Sequence, residues 1–327
     1  MQPNRRAVID VGTNSIKLLV ADVAGRDVQP VHEESRQTRL GRGFYETHRL
    51  QTEPIAHSAN AVADFARTAR KHGAEAVRVI ATSAARDAVN PDDLISAIEA
   101  AAKLKVEIIS GAQEAEWAFQ GVTTDSDLAK APLLLLDVGG GSTEFILGRG
   151  EHKHFAHSFP LGTVRLLEKI PHGDPPARAE FTACRDWLRN FLQTEVSPKL
   201  EPAFAAEAAS ARPRPDPHRE MNSQSAGVQL VGTGGTTSIL ARMEAKLDRY
   251  DRERLEATRL SLEQVKARRK QLWSLPLTGR KEIAGLPASR ADVILPGVLI
   301  YEVVMEEFGF KLLRVSTRGL RFAAVMD

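Results

Sequence analysis

Three short runs of small residues, each following an apolar segment, are the part of this chain best suited to chemistry. Gly12-Thr13-Asn14-Ser15 follows Ala7 to Val11, Gly139-Gly140-Gly141-Ser142-Thr143 follows Leu133 to Val138, and Gly232-Thr233-Gly234-Gly235-Thr236 follows Val228 to Val231. Glycine lets the backbone approach an anion closely, and successive N–H groups with Ser or Thr hydroxyls can surround phosphate oxygens. None of the three has the Gly-Lys-Ser/Thr ending of a phosphate-binding loop or the dinucleotide fingerprint, which disfavours those nucleotide folds. Asp10 and Asp137 close two of the apolar segments at matching positions, where carboxylates can hold a hard cation such as magnesium directly or through water. Glu144, just past the second run, could orient a water or join the same metal site. Glycines also make ordinary tight turns and a strand-end Asp also caps one. Three such turns, two of them after an Asp, favour a shared metal–phosphate site.

The elements that must position these residues follow from periodicity. Ala7 to Val11 and Ile16 to Val23 read as a hairpin, and Leu133 to Asp137 with Glu144 to Leu147 repeats it. Apolar spacing predicts a helix from Ile55 to Lys71, a strand over Val77 to Ile80, and a helix from Pro91 to Lys103 with Asn90 as its N-cap. A strand over Val106 to Ile109 and a helix over Gly111 to Gly121, carrying Glu114, follow. The Asp of the first hairpin and that of the second are 127 positions apart, so the chain reads as an α/β protein of two domains of similar plan. The first is residues 1–130 and the second 131–316, with a C-terminal helix over 317–327 packing back on the first. Residues 201–227, rich in Ala, Pro and Ser, oppose regular structure and read as a loop insertion.

Composition sets the class. The 327 residues carry 44 Lys and Arg against 42 Asp and Glu, a net charge of +2, with 43% apolar residues, an ordinary globular balance. One cysteine, Cys184, excludes an internal disulfide framework and suits a reducing, cytoplasmic setting. It reads as a buried small residue and not a nucleophile. The stretch Val293 to Val304 contains Pro296 and Glu302 and is too short for a membrane helix, so no membrane partner is expected. Residues 242–290 hold thirteen Lys and Arg against seven Asp and Glu, a net of +6. Arg268, Arg269, Lys270, Arg280 and Lys281 are the expected polyanion patch. No aromatic interleaving supports nucleic-acid binding. His152, His154 and His157 lack metal-site spacing and read as a surface strand.

Five motifs together resemble the exopolyphosphatase and guanosine-pentaphosphate phosphohydrolase family. They are Asp10 to Ser15, Ala81-Thr82-Ser83-Ala84-Ala85-Arg86, Ser110-Gly111-Ala112-Gln113-Glu114-Ala115, Asp137 to Glu144 and Gly232 to Thr236, and the likeness extends through Gly285 to Asp292. The resemblance implies two actin-like (ribonuclease H-like) domains with an interdomain active-site cleft. It implies Glu114 as general base on the attacking water, and Asp137 and Glu144 as magnesium-binding and water-positioning acids, with Asp10 a third candidate ligand. Arg86 would face the phosphates, and the glycine turns with Asn14 would cradle them. The implied substrate is inorganic polyphosphate or guanosine pentaphosphate, and an ATP-binding, kinase-like member of the superfold is the alternative from another class. The additional C-terminal domains of longer members are not expected here. A homodimer is an expectation at the level of the family.

Overall fold

The computed structural model describes residues 4–210 and 227–327. The first hairpin forms β1 (Asn4–Val11) and β2 (Ser15–Ala24), antiparallel, and β3 (Asp27–Gln37) extends it into a meander. β4 (Ala76–Ala81) runs parallel to β1, and β5 (Val106–Ile108) parallel to β4, in the order β3-β2-β1-β4-β5. The second sheet repeats this plan with β6 (Leu133–Val138), β7 (Thr143–Arg149) and β8 (His152–Phe159) as the meander. β9 (Gln229–Thr233) and β11 (Leu312–Val315) run parallel to β6 and to one another, and β10 (Arg259–Ser261) adds an antiparallel edge. Fully apolar strands such as β6, Leu133 to Leu136 all buried, are what parallel sheets covered on both faces require.

Helices cover these faces. In the first half they are α1 (Thr52–Lys71), α2 (Ser83–Arg86), α3 (Pro91–Ala102), α4 (Gly111–Val122) and α5 (Ser126–Ala129). In the second half they are α6 (Thr163–Lys169), α7 (Arg178–Phe191), α8 (Ser197–Ser210), α9 (Gly234–Glu244), α10 (Arg252–Ala257), α11 (Leu262–Trp273), α12 (Leu277–Lys281), α13 (Ile294–Glu307) and α14 (Leu320–Ala324). α1 buries Ile55, Val62, Phe65, Ala66 and Ala69 along one stripe. α13 is buried from Ile294 to Met305, so the longest apolar stretch of the chain is a core helix. Among the described residues no helix is long and apolar enough to cross a membrane. α4 is shared between the sheets. Ala115, Ala118, Phe119 and Val122 pack on Leu133, Leu135, Ile146 and Val231 of the second sheet. Trp117 joins α14 and Val8, Leu19 and Ala21 of the first.

Two local expectations are corrected. Asn90 precedes α3 but does not cap it with its side chain. Its Oδ1 accepts the Leu50 N–H at 2.8 Å and its Nδ2 donates to the Leu50 carbonyl, because a neighbouring loop offers an unpaired peptide. Residues 201–210, expected as loop, continue α8; residues 211–226 of that expected loop lie outside the described residues. Leu200, Ala203, Phe204 and Glu207 are buried at helical spacing, and the alanines favour the helix. A π turn over Leu192–Val196 links α7 to α8, just ahead of Pro198, which cannot donate to the preceding turn.

Candidate active site

The strand ends bring the first two glycine turns face to face. An ideal Cβ on Gly140 would lie 2.9 Å from the Cβ of Thr13, and one on Gly141 would lie 2.4 Å from both Ser83 Oγ and Tyr45 Oη. Only glycine permits that approach. The peptide groups of the turns are sorted by direction. The Thr13 carbonyl accepts from Gly41 N, and the Asn14 carbonyl from Thr38 N and Arg39 N. The Gly139 carbonyl accepts from Thr163 N, the Gly140 carbonyl from Val164 N and Arg165 N, and the Gly141 carbonyl from Arg165 Nε. The N–H groups of Thr13, Asn14, Gly140, Gly141 and Ser142 have no protein partner among the described residues. A turn whose carbonyls are held by protein while its N–H groups stay free is an anion cradle.

The third turn closes the cleft from another side. Gly234 has φ +84° and opens α9, where a Cβ would come within 2.3 Å of Asp137 Oδ1. Asp10, Glu114, Asp137 and Glu144 line one cavity of about 90 Å³ together with Gly12 to Ser15, Gly139 to Ser142, Gly234 and Gly235. Of the expected phosphate-binding residues, Thr143 and Thr236 do not line it. They are buried braces, donating to the carbonyls of Leu161 and Val138.

The electrostatics are those of crowded, dry acids. Burial pushes the Glu114 carboxyl up to about 7, with Arg86 opposing and Asp10 and Asp137 adding to the rise. Burial also raises Asp10 against the pull of Lys17 and Arg321. Asp137 is raised by burial and by Asp10, and Glu144 is raised well above its ordinary value by burial, Glu114 and Asp137. Asp10 Oδ1 is buried without a partner. Among the described residues no three His, Cys, Asp or Glu side chains converge as a ready-made metal cage. The expected trio Asp10, Asp137 and Glu144 therefore shares the cavity without forming a closed ligand set. One or two carboxylates completed by water and substrate oxygens is how magnesium is commonly held at phosphate sites.

Arg86 departs from its expected place. Its Nη1 donates to Glu114 Oε2 at 2.9 Å and to the Ile109 carbonyl, so it holds Glu114 and is not among the residues lining the cavity. The cations that do line it are Lys17, Arg290 and Arg321, none of them singled out from sequence. Lys17 pairs in register with Asp10, as Glu144 pairs with Asp137 in the repeated hairpin, so comparing the two hairpins would have flagged it. Arg290 lies in the segment carrying the family likeness, donates to Ser15 Oγ at 2.7 Å, and is drawn down to about 10 by burial, still cationic at neutral pH. Ser158, donating to Glu144 Oε1 at 2.7 Å, and Gly162, where a Cβ would meet the Gly140 carbonyl at 2.4 Å, carried no sequence signal of their own.

The expected polyanion patch is corrected. Arg268 is bound to Glu244, Arg269 to the fully buried Glu302 at 2.7 Å with its guanidinium over the Phe181 ring, and Arg280 is 2% exposed beside Asp174. Lys270 and Lys281 alone of the five are exposed. Acids on neighbouring elements neutralise a run that looked basic along the chain. Cys184 is buried and its thiol is pushed up to about 12, the wrong direction for a nucleophile. The three histidines lie on β8, with His154 Nε2 at 2.7 Å from Glu207.

Comparison with known proteins joins sequence and geometry. The Ppx/GppA phosphatase family matches residues 19–326. Exopolyphosphatase 2 of Mycobacterium tuberculosis is 35% identical over 319 residues, 94% of this chain and 92% of that one. A solved Ppx/GppA enzyme of Aquifex aeolicus superposes with a TM-score of 0.74 at 27% identity, covering 99% of both chains. An exopolyphosphatase of Cytophaga hutchinsonii superposes with a TM-score of 0.80 at 28% identity, covering 98% of this chain and 96% of that one. The matched span contains Glu114, Asp137, Glu144 and two of the three turns, and solved relatives cover nearly the whole chain, so this chain is a phosphoanhydride hydrolase of the Ppx/GppA phosphatase family.

Proposed function

We propose that the protein is an exopolyphosphatase, removing the terminal phosphate of inorganic polyphosphate in a magnesium-dependent reaction with water activated by Glu114. The observation that carries this is the pair of opposed turns, with N–H groups free of protein partners, that line one cavity with a buried cluster of carboxylates. The terminal phosphoryl group rests between Gly12 to Ser15 and Gly139 to Ser142. Glu114, set by Arg86, takes a proton from the attacking water as oxygen bonds to phosphorus. The bridging P–O bond then breaks, and the shortened chain leaves with the bridging oxygen. Lys17, Arg290 and Arg321 offset the charge of the oxygens. The acids fit a hard cation, since Asp10 Oδ1 has no partner and burial makes uncompensated carboxylates costly. Asp10, Asp137 and Glu144 would hold Mg2+, which supplies charge neutralisation at the phosphate when bound.

Guanosine pentaphosphate is the second reading, favoured by one feature. A cavity of about 310 Å³ continues from the phosphate cleft past Gly234 and Gly235, walled by Ser238, Ile239, Tyr250 and Pro287, a mixed surface suited to a nucleoside. The deciding experiment follows magnesium-dependent phosphate release from long-chain polyphosphate and from guanosine pentaphosphate, using the native protein and Glu114→Gln. Faster turnover of polyphosphate, lost by roughly 10²–10⁴-fold in the variant, is the expected result. Preference for the nucleotide promotes the second reading, and full activity in the variant removes Glu114 as base.

A further inference from the structure

The second phosphate turn is shaped less by its own glycines than by α6. The first turns of that helix take up the carbonyls of Gly139 and Gly140, and Arg165 Nε takes the carbonyl of Gly141 at 2.7 Å. A peptide is planar with its C=O and following N–H on opposite sides. Holding the Gly141 carbonyl therefore fixes the Ser142 N–H to the other side, in the turn that lines the cleft. The same guanidinium reaches across to the first half of the chain. Arg165 Nη2 donates to Asp87 at 2.7 Å, Asp87 faces Arg86 Nε at 3.8 Å, and Arg86 donates to Glu114 at 2.9 Å. The charges alternate along this line. The Arg165 guanidinium also lies 4.3 Å over the Tyr45 ring. One turn further along α6, Glu168 accepts the N–H groups of Gly43 and Tyr45 at 2.7 and 3.0 Å.

We infer that Arg165 is a positioning residue that ties the phosphate turn 139–142 to Glu114 across the cleft through Asp87 and Arg86, with Glu168 clasping the 43–45 loop over it. The inference rests on Glu114 being the general base. A lysine cannot replace it, because a single ammonium lacks the planar fork that meets a carbonyl and a carboxylate while stacking on a ring.

The test compares native protein with Arg165→Met, Arg165→Lys, Asp87→Asn and the Arg165→Met/Asp87→Asn double variant, below their unfolding midpoints. The expected result is a fall in kcat of about tenfold or more in each single variant, with KM changed much less. The double variant should be no slower than the worse single one, as for residues acting in one line. An unchanged kcat, an effect on KM alone, or losses that multiply in the double variant overturns the inference. Hydrogen–deuterium exchange gives a readout free of turnover. Arg165→Met should raise exchange both at 139–142 and at 83–87, whereas a change confined to 139–142 overturns the coupling. If the native protein hydrolyses neither substrate, the functional reading fails while the exchange pattern still decides the clasp.

Discussion

Glu114 shows how one residue type takes its role from its surroundings. A carboxylate in the first turn of a helix is normally stabilised in its charged form by the helix dipole, yet here burial wins and lifts it to about 7. As the proposed base, Glu114 must be unprotonated, so kcat/KM is expected to rise with pH through about 7 and level off above it, and Glu114→Gln should lose that limb along with the activity. Stability runs the other way. The folded state holds this proton at pH values where the unfolded chain has released it, so the contribution is present below the ordinary carboxylate range and is lost as pH rises through about 7. In chelator, Glu114→Gln should therefore unfold at a higher temperature than the native protein at pH 8 and show little advantage at pH 5. An equal advantage at both pH values would contradict burial as the cause.

At the scale of elements, the site depends on how closely backbones approach. α4 carries Glu114 and is pinned at its far end, where a Cβ on Gly121 would lie 2.0 Å from the Gly319 carbonyl oxygen ahead of α14. Gly121→Ala forces the two apart, an overpacking cost of about 1–3 kcal/mol. A lower unfolding midpoint by calorimetry, together with reduced turnover, is the expected outcome, and an unchanged midpoint would show that α14 yields freely. The strand-turn units were legible because short continuous apolar runs ending in Asp and glycine are local patterns. The second half of α8 was not, because it belongs to a stretch rich in Ala, Pro and Ser that read as loop, while Leu200, Ala203 and Phe204 bury one helical face.

Over the whole molecule, two sheets of the same plan meet at their turns, and contacts across the cleft are numerous. Arg290 reaches Ser15, Arg39 reaches Asp292, Arg252 reaches Glu33, and α6 holds the 43–45 loop. The cleft leaves about 90 Å³ free among the acids, so a change in its width around the proposed long substrate is the expected motion. Small-angle scattering should show the ligand-free protein as more expanded than the protein saturated with tripolyphosphate and Mg2+. Unchanged dimensions at saturation would argue for a permanently closed cleft fed from its side.

The sequence by itself determined the repeated hairpins, the three glycine turns and the strand-end acids Asp10, Asp137 and Glu144, since each belongs to a short local pattern, whereas Glu114 stood out only through the family resemblance. Tertiary structure alone decided which cations line the cavity. Arg268, Arg269 and Arg280 are withdrawn by acids from other elements, while Arg290 is delivered to Ser15 from 275 positions away. It also decided which way the turns point. The carbonyls of the two cradles are turned aside by α6 and by residues 38–41, and a peptide's direction is set by whatever packs behind it.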